Sequence, residues 1–468
     1  MGALAELRRS SPMTVLVGAA AAGVGFLYGY DLSTLAASLL FLQTDFGLSS
    51  AGQELIALAA VVGQLLGAAA GGWLANTAGR RRCMVALTAG YALCALVSAA
   101  AVGIPMLLGA RFLLGVALGV AIVVVPVFVA ESVPAAVRGA LLVLYGLATV
   151  CGIIGGYLGA YLLSGLDSWR WLLGVAAVPA VGVLVLLRRV PDTARWYLLR
   201  GRPTQARRVL QRVDPGVDAD AELTEIARVV AAEQAQHVGV LREMLRLPYL
   251  RATVFVVGLG FFIQITGINA IVYYSPRLFE TMGFSGYAAL LALPALVQLC
   301  ALAAVAVSLL LVDKVGRRPI LLTGIAVMIV ADALLIVVFA AAGAFGAAVP
   351  YLQFGAVVAF TVAYTFGFGS LVWVYAGESL PARLRSMGSS AMLTANLLAN
   401  AVVVGVFLTL LERLGGAGTF AVFAVMAVLG FGFVYRYAPE TKGRQLEDIR
   451  HYWENGCRWP DPMPAEPR

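Results

Sequence analysis

Two ionisable side chains interrupt stretches of this chain that are otherwise apolar. Asp31 lies midway along the first such stretch, and Arg111 lies near the start of the fourth. A charged side chain inside a membrane-spanning segment is costly and commonly marks the path of an ion, a proton or a substrate. A carboxylate in such a place can gain and lose a proton as its surroundings change. Asp31 and Arg111 are therefore candidate functional residues.

Amide and aromatic side chains also occur close together within an apolar stretch. Gln264 and Asn269 are followed at once by Tyr273 and Tyr274. Amides both donate and accept hydrogen bonds, as sugar hydroxyl groups do, and an aromatic ring offers a flat apolar face. This group of side chains is suited to a sugar-like solute.

Enzyme chemistry is not indicated. The sequence contains no nucleophile–base pair, metal cluster or phosphate-cradling loop that would mark an active site. The five cysteines lack the spacing of a metal site and fall outside any segment expected in an oxidising compartment, so no disulfide is expected. We expect no catalytic residue, no metal and no cofactor.

Composition indicates which elements position these residues. Hydrophobic residues make up 61% of the chain and charged residues only 12%, about half the share of roughly 25% in soluble domains. Because backbone groups in lipid must be satisfied internally, apolar runs of about 20 residues predict helices. The prediction is an all-α membrane protein with twelve spans, near residues 13–40, 52–75, 83–104, 106–130, 139–164, 170–188, 250–275, 286–312, 319–343, 348–377, 387–411 and 416–437.

Two polar motifs occur twice in the same order, which predicts an internal duplication. Gly79-Arg80-Arg81 recurs as Gly316-Arg317-Arg318, and Glu131 to Arg138 recurs as Glu378 to Arg385. Equivalent loops recur on one side of the bilayer when a membrane domain is duplicated. The predicted organisation is a six-helix bundle over 1–188, a cytoplasmic helical linker over 189–249, a second six-helix bundle over 250–438 and a cytoplasmic tail over 439–468.

The distribution of basic residues predicts the orientation in the membrane. Most of them fall on one face of the twelve-span arrangement, whereas the opposite loops hold only Arg170, Arg277 and Arg413. By the positive-inside bias, both termini are expected in the cytoplasm. The absence of glycosylation sequons and the high content of alanine, valine and arginine favour the plasma (cell inner) membrane. The net charge of +8 is then a signal of topology. Nucleic-acid binding would need a clustered basic surface on a soluble fold, so it is not expected.

The ordered motifs resemble the sugar porter family of the major facilitator superfamily, over nearly the whole chain. They include Gly29-Tyr30-Asp31, the duplicated loops above, Pro191 to Trp196, Gln264 to Asn269, and Pro439 to Gly443. The resemblance extends to bacterial proton–sugar symporters and to facilitative glucose transporters. It implies the major facilitator fold, with two six-helix bundles that expose a central site alternately to each side of the membrane.

The resemblance also implies roles for individual residues. In the proton-coupled members, an acid at the position of Asp31 carries the proton and an arginine at the position of Arg111 is its partner. The alternative is a static buried pair that only holds the first and fourth spans together. The implied substrate-binding residues are Gln264, Asn269, Trp373, Asn396 and Asn400. The implied gating residues are Tyr273, Tyr274, Gly367, Gly369, Arg80, Arg81, Glu131, Arg138, Asp313, Arg317, Arg318, Glu378 and Arg385.

Several positions depart from the family pattern. The usual acid of the first basic loop is Asn76, which predicts a weaker ion-pair latch in the amino-terminal half. Polar or aromatic residues that the family uses for its solute are replaced by Gly146, Ile263, Ala301 and Leu397. Asp332 is a further acid in the middle of a span, and the family gives that position no role. We interpret it as structural.

Together these features predict an alternating-access secondary transporter in the lipid bilayer. Its expected partners are a monosaccharide or related polyol and a proton, with Asp31 as the proton carrier. The alternatives are a facilitative sugar uniporter, a sugar sensor that does not transport, and a drug exporter.

Overall fold

The computed structural model describes residues 10–166, 168–236, 240–444, 446–457 and 459 of the 468-residue chain. All regular elements in these ranges are helices, as expected from the apolar runs. The first seven are α1 (Pro12–Phe46), α2 (Ser50–Ala78), α3 (Arg80–Ala99), α4 (Ile104–Ser132), α5 (Ala135–Leu163), α6 (Trp169–Gly174) and α7 (Ala177–Arg189).

Four shorter helices follow, and they precede the second set of membrane-length helices. They are α8 (Ala194–Leu199), α9 (Pro203–Val213), α10 (Ala219–Gln236) and α11 (Val240–Met244). The remaining helices are α12 (Tyr249–Ile265), α13 (Ile268–Thr281), α14 (Tyr287–Val315), α15 (Arg317–Ala340), α16 (Ala342–Phe345), α17 (Val349–Tyr364), α18 (Ser370–Ser379), α19 (Ala382–Tyr437) and α20 (Leu446–Glu454).

The predicted spans correspond to helices that are long and apolar enough to cross a membrane. Eleven such helical stretches occur in the described residues. The last of them, Leu384–Tyr437, covers both of the final predicted runs. Gly415 interrupts it with non-helical angles, φ 67° and ψ 178°. A left-handed φ of this kind favours glycine, so the chain changes direction there, and the final two predicted spans are both present.

The described chain separates into two compact units. Unit 1 comprises Met1–Ala231, Asn269–Leu302 and Val404–Glu412, and unit 2 comprises Ala232–Ile268, Ala303–Val403 and Arg413–Arg468. Unit 1 therefore contains the first nine helices and most of α10, together with nearly all of α13, the first part of α14 and a short stretch of α19. The division into 1–188, 189–249, 250–438 and 439–468 follows the repeat instead, and it stays a prediction.

Close helix packing in unit 1 depends on glycine. A Cβ added to Gly29 of α1 would lie 1.8 Å from the carbonyl oxygen of Thr149 in α5. A Cβ on Gly63 of α2 would lie 2.1 Å from the carbonyl oxygen of Phe112 in α4. Small residues let helix backbones approach within a membrane. These two contacts fix α1 and α4 beside their neighbours at the level of Asp31 and Arg111.

Candidate functional site

Asp31 and Arg111 form a two-pronged ion pair inside unit 1. Nη1 of Arg111 donates to Oδ1 of Asp31 at 2.8 Å, and Nη2 donates to Oδ2 at 2.9 Å. The two side chains are 3% and 1% exposed. A planar guanidinium matches a carboxylate in this fork-to-fork arrangement. The structure thus brings the two predicted residues together, while their role in carrying a proton stays a prediction.

The buried pair has uncompensated polar groups around it. Nε of Arg111 and the hydroxyl of Tyr91 are buried without a hydrogen-bond partner among the described residues. Removing one member of a buried ion pair typically costs about 3–5 kcal/mol, because the other charge is left unpaired. Asp31 and Arg111 are therefore strongly coupled, because loss of the charge on one leaves the charge on the other buried and unpaired.

The predicted substrate-binding residues lie on helices α12, α13, α18 and α19. Nε2 of Gln264 donates to Oδ1 of Asn396 over a long contact of 3.5 Å, while Oε1 of Gln264 is buried without a partner in the described part of the chain. Asn396 and Asn400, one turn apart on α19, share a helix face. Asn400 is 2% exposed, whereas Trp373 is 47% exposed. Asn269 is half-buried and belongs to unit 1, and the other four belong to unit 2.

The seventh predicted span is broken between α12 and α13. Gly267 adopts a left-handed φ of +98°, and an added Cβ would lie 2.8 Å from the ring of Phe423. Only glycine fits there. Beyond the break, Tyr273 and Tyr274 are 1% and 0% exposed. Their burial in a broken helix is compatible with the predicted gating role.

Tyr274 is held by the stretch of α19 that belongs to unit 1. Its hydroxyl donates to the carbonyl oxygen of Val404 at 2.7 Å, and its ring stacks on Phe407 with centroids 5.6 Å apart. Its own backbone is non-helical, with φ −125° and ψ 15°. The hydroxyl of Tyr157 on α5 similarly donates to the carbonyl oxygen of Val272 at 2.7 Å. Side chains thus fix α13 on both sides.

A π-helical turn, Thr365–Gly369, joins α17 to α18 and contains both predicted glycines. Gly367 packs against Gly324, because an added Cβ would lie 3.1 Å from the Cα atom of Gly324. Hydroxyls bind two carbonyl oxygens of the turn: Ser370 donates to Thr365 at 2.7 Å and Ser308 to Phe366 at 2.8 Å. Such turns often occur at functional positions. The gating role of Gly367 and Gly369 stays a prediction.

The first copy of the duplicated motifs forms a charged network within unit 1. Nε of Arg80 lies 2.9 Å from Oε2 of Glu131. Thr193 donates its hydroxyl to Glu131 at 2.8 Å, and Asp192 accepts the backbone N–H of Arg80 at 2.9 Å. Asp192 therefore caps the start of α3, where a negative charge is favourable. Nη2 of Arg81 donates to the carbonyl oxygen of Arg188 at 2.9 Å.

Burial and hydrogen bonding act in opposite directions on Asp192. Burial raises the pKa of its carboxyl, whereas the backbone N–H groups of Thr193, Arg81 and Arg80 lower it, and the net pKa is above the ordinary value. The capping carboxylate is thus enclosed by protein.

The second copy repeats this arrangement within unit 2. Nη2 of Arg317 lies 3.7 Å from Oε1 of Glu378, and Thr441 donates its hydroxyl to Glu378 at 2.5 Å. Glu440 accepts the backbone N–H groups of Arg317 and Arg318, each at 3.1 Å. Glu440 therefore takes the place that Asp192 has in the first copy. Nη2 of Arg318 donates to the carbonyl oxygen of Tyr435 at 2.8 Å.

The acid that differs between the copies does not weaken the first network. Asp313 pairs with Arg317 at 3.1 Å, but its side chain is 82% exposed. Asn76 replaces this acid in the first copy, yet the Arg80–Glu131 pair is shorter and more buried than the Arg317–Glu378 pair. The expectation of a weaker amino-terminal latch is therefore not met, because the buried carboxylate and threonine carry the contact.

Two of the predicted gating arginines contribute less to these charged networks than the family resemblance implies. Arg138 is exposed, and Arg385 is half-buried with an Nε atom that has no partner in the described residues. Asp192, Thr193 and their counterparts Glu440 and Thr441 were not predicted as functional residues. The signal was the repeated triplet of proline, acid and threonine at Pro191 and Pro439.

The residues that depart from the family pattern are either buried apolar side chains or a glycine beside open space. Ile263, Ala301 and Leu397 are at most 3% exposed. A Cβ added to Gly146 would meet no atom within 4 Å, so space is open beside it. Asp332, in the middle of α15, is 0% exposed, and neither carboxylate oxygen has a partner in the part of the chain that is described.

Comparison with known proteins agrees with this architecture. Residues 17–453 match the family described as "Sugar (and other) transporter". The galactose-proton symporter of Escherichia coli (strain K12) is 32% identical over 443 residues, covering 94% of this chain and 95% of that protein. The arabinose-proton symporter of the same strain is 31% identical over 447 residues, covering 95% of this chain and 94% of that protein.

A solved structure shows the same fold. The inward open conformation of the xylose transporter XylE from E. coli superimposes with a TM-score of 0.80 at 23% identity, covering 94% of this chain and all of that one. The predicted twelve-helix major facilitator fold is thereby confirmed. The family match and the similar symporters confirm the prediction that the protein is not an enzyme. This multi-pass membrane protein belongs to the sugar transporter family of the major facilitator superfamily.

Proposed function

We propose that this protein moves a monosaccharide or related polyol across the plasma membrane together with a proton, by alternating access. Asp31 is the proton carrier and Arg111 is its partner. The observation that carries the proposal is the buried two-pronged pair between them. This chain is similar to a galactose-proton symporter and an arabinose-proton symporter over nearly their full length. That similarity supports proton coupling.

The geometry of the pair suggests how a proton could bias the transporter. Protonation of Asp31 removes the charge to which both terminal nitrogens of Arg111 donate. Arg111 is 1% exposed, and an unpaired charge in such a place is costly. The arrangement of α1 against α4 that suits the ion pair is then no longer the best one. A ligand that binds two states unequally shifts their equilibrium by that difference, and here the ligand is the proton.

The solute would be bound by the amide groups and the aromatic ring named above. Gln264, Asn269, Asn396 and Asn400 would supply donors and acceptors, and Trp373 would supply an accessible ring. A buried hydroxyl without a partner costs about 1–3 kcal/mol. The apolar residues at Ile263, Ala301 and Leu397 therefore shift the preference away from solutes that need a partner at those positions.

The duplicated networks would lie at the cytoplasmic mouth, with both termini in the cytoplasm. The positive-inside bias supports this orientation, because most basic residues occur at that end. Each network links the start of one helix to the end of another within its own unit. Residues 1–188 and 250–438 would be the two bundles that move relative to each other, and residues 189–249 would link them.

A panel of solutes tests the substrate class. Purified protein is screened for thermal stabilisation by pentoses, hexoses and polyols, and the stabilising solutes are then tested for uptake into proteoliposomes. We expect stabilisation by at least one sugar or polyol, and uptake driven by an inwardly directed proton gradient. Stabilisation by hydrophobic cations alone would instead indicate a drug exporter.

The facilitative alternative makes a different prediction in the same proteoliposomes. A uniporter, with Asp31 and Arg111 as a static pair, equilibrates its sugar but does not concentrate it. A proton ionophore would then leave the final sugar concentration unchanged. Under the symport proposal, the ionophore abolishes concentrative uptake and leaves equilibration intact.

A further inference from the structure

A buried carboxylate of α2 binds the backbone of α19 within unit 1. Oε1 of Glu54 accepts the backbone N–H of Thr409 at 2.7 Å, and Oε2 accepts the hydroxyl of the same residue at 2.6 Å. Glu54 is only 4% exposed. Hydrogen bonds to an ionised carboxylate are short and about twice as strong as neutral ones. Both carboxylate oxygens of Glu54 thus accept hydrogen bonds from Thr409.

The helices around this contact are in close register. Leu58, one turn after Glu54, lies against Gly405, one turn before Thr409, where an added Cβ would be 3.3 Å from Cδ2 of Leu58. The two helices therefore run in opposite directions with matched turns. We call Glu54, Leu58, Gly405 and Thr409 the Glu54 clasp. It adjoins Val404, whose carbonyl oxygen accepts the hydroxyl of Tyr274.

The Glu54 clasp lies far from the first basic loop, which contains Arg80. Glu54 is in the first turns of α2, and the helix ends at Ala78, just before Arg80. At 1.5 Å per residue, Glu54 is about 36 Å along the helix from that end, which exceeds the hydrocarbon thickness of a bilayer. The clasp therefore lies at the other membrane face, together with the buried Tyr273 and Tyr274.

Alternating access, on which this inference rests, requires such a contact to break once per cycle. Glu54 comes from the second span and Thr409 from the eleventh, and the two sets of six spans move relative to each other. We propose that Glu54 is a gating residue that holds the extracellular mouth closed by binding Thr409. When that mouth opens, water hydrates the carboxylate in place of Thr409.

Cysteine accessibility tests the proposal without any substrate. All five native cysteines are replaced by serine, Leu58→Cys is added, and a membrane-impermeant maleimide is applied to intact cells. Val102, in the loop before α4 and 87% exposed, provides the reference through Val102→Cys. We expect Glu54→Ala to raise the labelling rate at position 58 about tenfold or more, because two charge-assisted hydrogen bonds are lost. Labelling at position 102 should not change.

Conservative variants separate gating from a general effect on folding. Thr409→Val keeps the backbone N–H but loses the hydroxyl, so labelling should rise about threefold, as expected for one lost hydrogen bond of modest strength. Thr409→Ser keeps both groups and should label like the parent. Glu412→Gln is the matched charge control, because Glu412 is an exposed carboxylate on the same stretch of α19. It should also label like the parent.

Either of two results would overturn the proposal. One is a labelling rate within twofold of the parent in both Glu54→Ala and Thr409→Val. The other is equal labelling in Thr409→Val and Thr409→Ser, which decides the matter even where Glu54→Ala fails to fold. Normal sugar uptake with unchanged labelling would refute the clasp alone. Faster labelling in a protein that moves no sugar would refute the substrate assignment alone.

Discussion

Asp31 and Asp332 are both aspartates buried in the middle of a membrane helix, but their surroundings differ. Asp31 receives two hydrogen bonds from Arg111 across a helix interface. Asp332 has no partner for either oxygen among the described residues. Under the symport proposal, Asp31 exchanges a proton beside the positive charge of Arg111. Asp332 has no such charged neighbour among the described residues. The comparison suggests that a partner of opposite charge, rather than burial alone, makes a buried acid useful for transport.

The largest expected difference between the two acids is in sugar accumulation. At a membrane potential of 100 mV, one co-transported proton can sustain about a 50-fold sugar gradient. Asp31→Asn should remove that gradient entirely while leaving sugar exchange across the membrane, because the solute site is intact. Asp332→Asn, the matched substitution, should accumulate sugar as the wild type does. Accumulation is measured with labelled sugar in energised vesicles. An equal loss of accumulation in both variants would show that Asp31 and Asp332 do not differ in their role.

The next largest effect concerns stability at the paired acid. Arg111→Gln leaves the charge of Asp31 buried and unpaired, so the free energy of unfolding should fall by about 3–5 kcal/mol. Adding Asp31→Asn removes that charge and should restore part of the loss, because the effects of contacting residues are not additive. Thermal unfolding in detergent measures both. Additive losses would show that the pair is not coupled.

The opposite change is expected at the unpaired acid. Asp332→Leu replaces a buried polar group without partners by an apolar side chain of similar size, which should raise the free energy of unfolding by about 1–3 kcal/mol. Asp332→Asn keeps the polar character and should give no such gain. Thermal unfolding of the two variants is compared with the wild type. A loss of stability in Asp332→Leu would mean that the carboxyl has a partner after all.

The smallest effect extends the comparison to the duplicated networks. The Arg80–Glu131 pair has side chains that are 4% and 13% exposed, against 18% and 26% for Arg317 and Glu378. Glu131→Gln should therefore lower the free energy of unfolding by about 1–3 kcal/mol. Glu378→Gln should lower it by less than about 1 kcal/mol, because partly exposed pairs contribute little. Equal losses, measured by thermal unfolding, would contradict this ranking.

Much of the fold could be predicted because hydropathy and motif order depend on the sequence locally. The twelve spans follow from the apolar runs, whereas the break at Gly267 within the seventh span was not predicted, because a single glycine in an apolar run does not reveal a left-handed φ. The pairing of Asp31 with Arg111 came only from the family resemblance. Composition alone shows that two charges are buried and does not show which helices bring them together.

Contacts between distant segments could not be predicted. Glu54 and Thr409 are 355 positions apart, and a glutamate near the start of a helix ordinarily faces water. Asp192 and Glu440 lie in loops, and each caps a helix that begins more than 100 residues away in the chain. Nothing in the local sequence indicates that contact. Asn76 was misleading for a related reason. Its counterpart Asp313 is exposed, so the missing acid matters less than the buried contacts that sequence did not reveal.

Proton flux that accompanies sugar entry would show directly whether transport is coupled through Asp31. Proteoliposomes with an internal pH indicator are given a transported sugar without any imposed gradient. We expect internal acidification in step with sugar entry in the wild type, and sugar exchange without any pH change in Asp31→Asn. Sugar entry with no pH change in the wild type would contradict this expectation, as would acidification of the same size in Asp31→Asn.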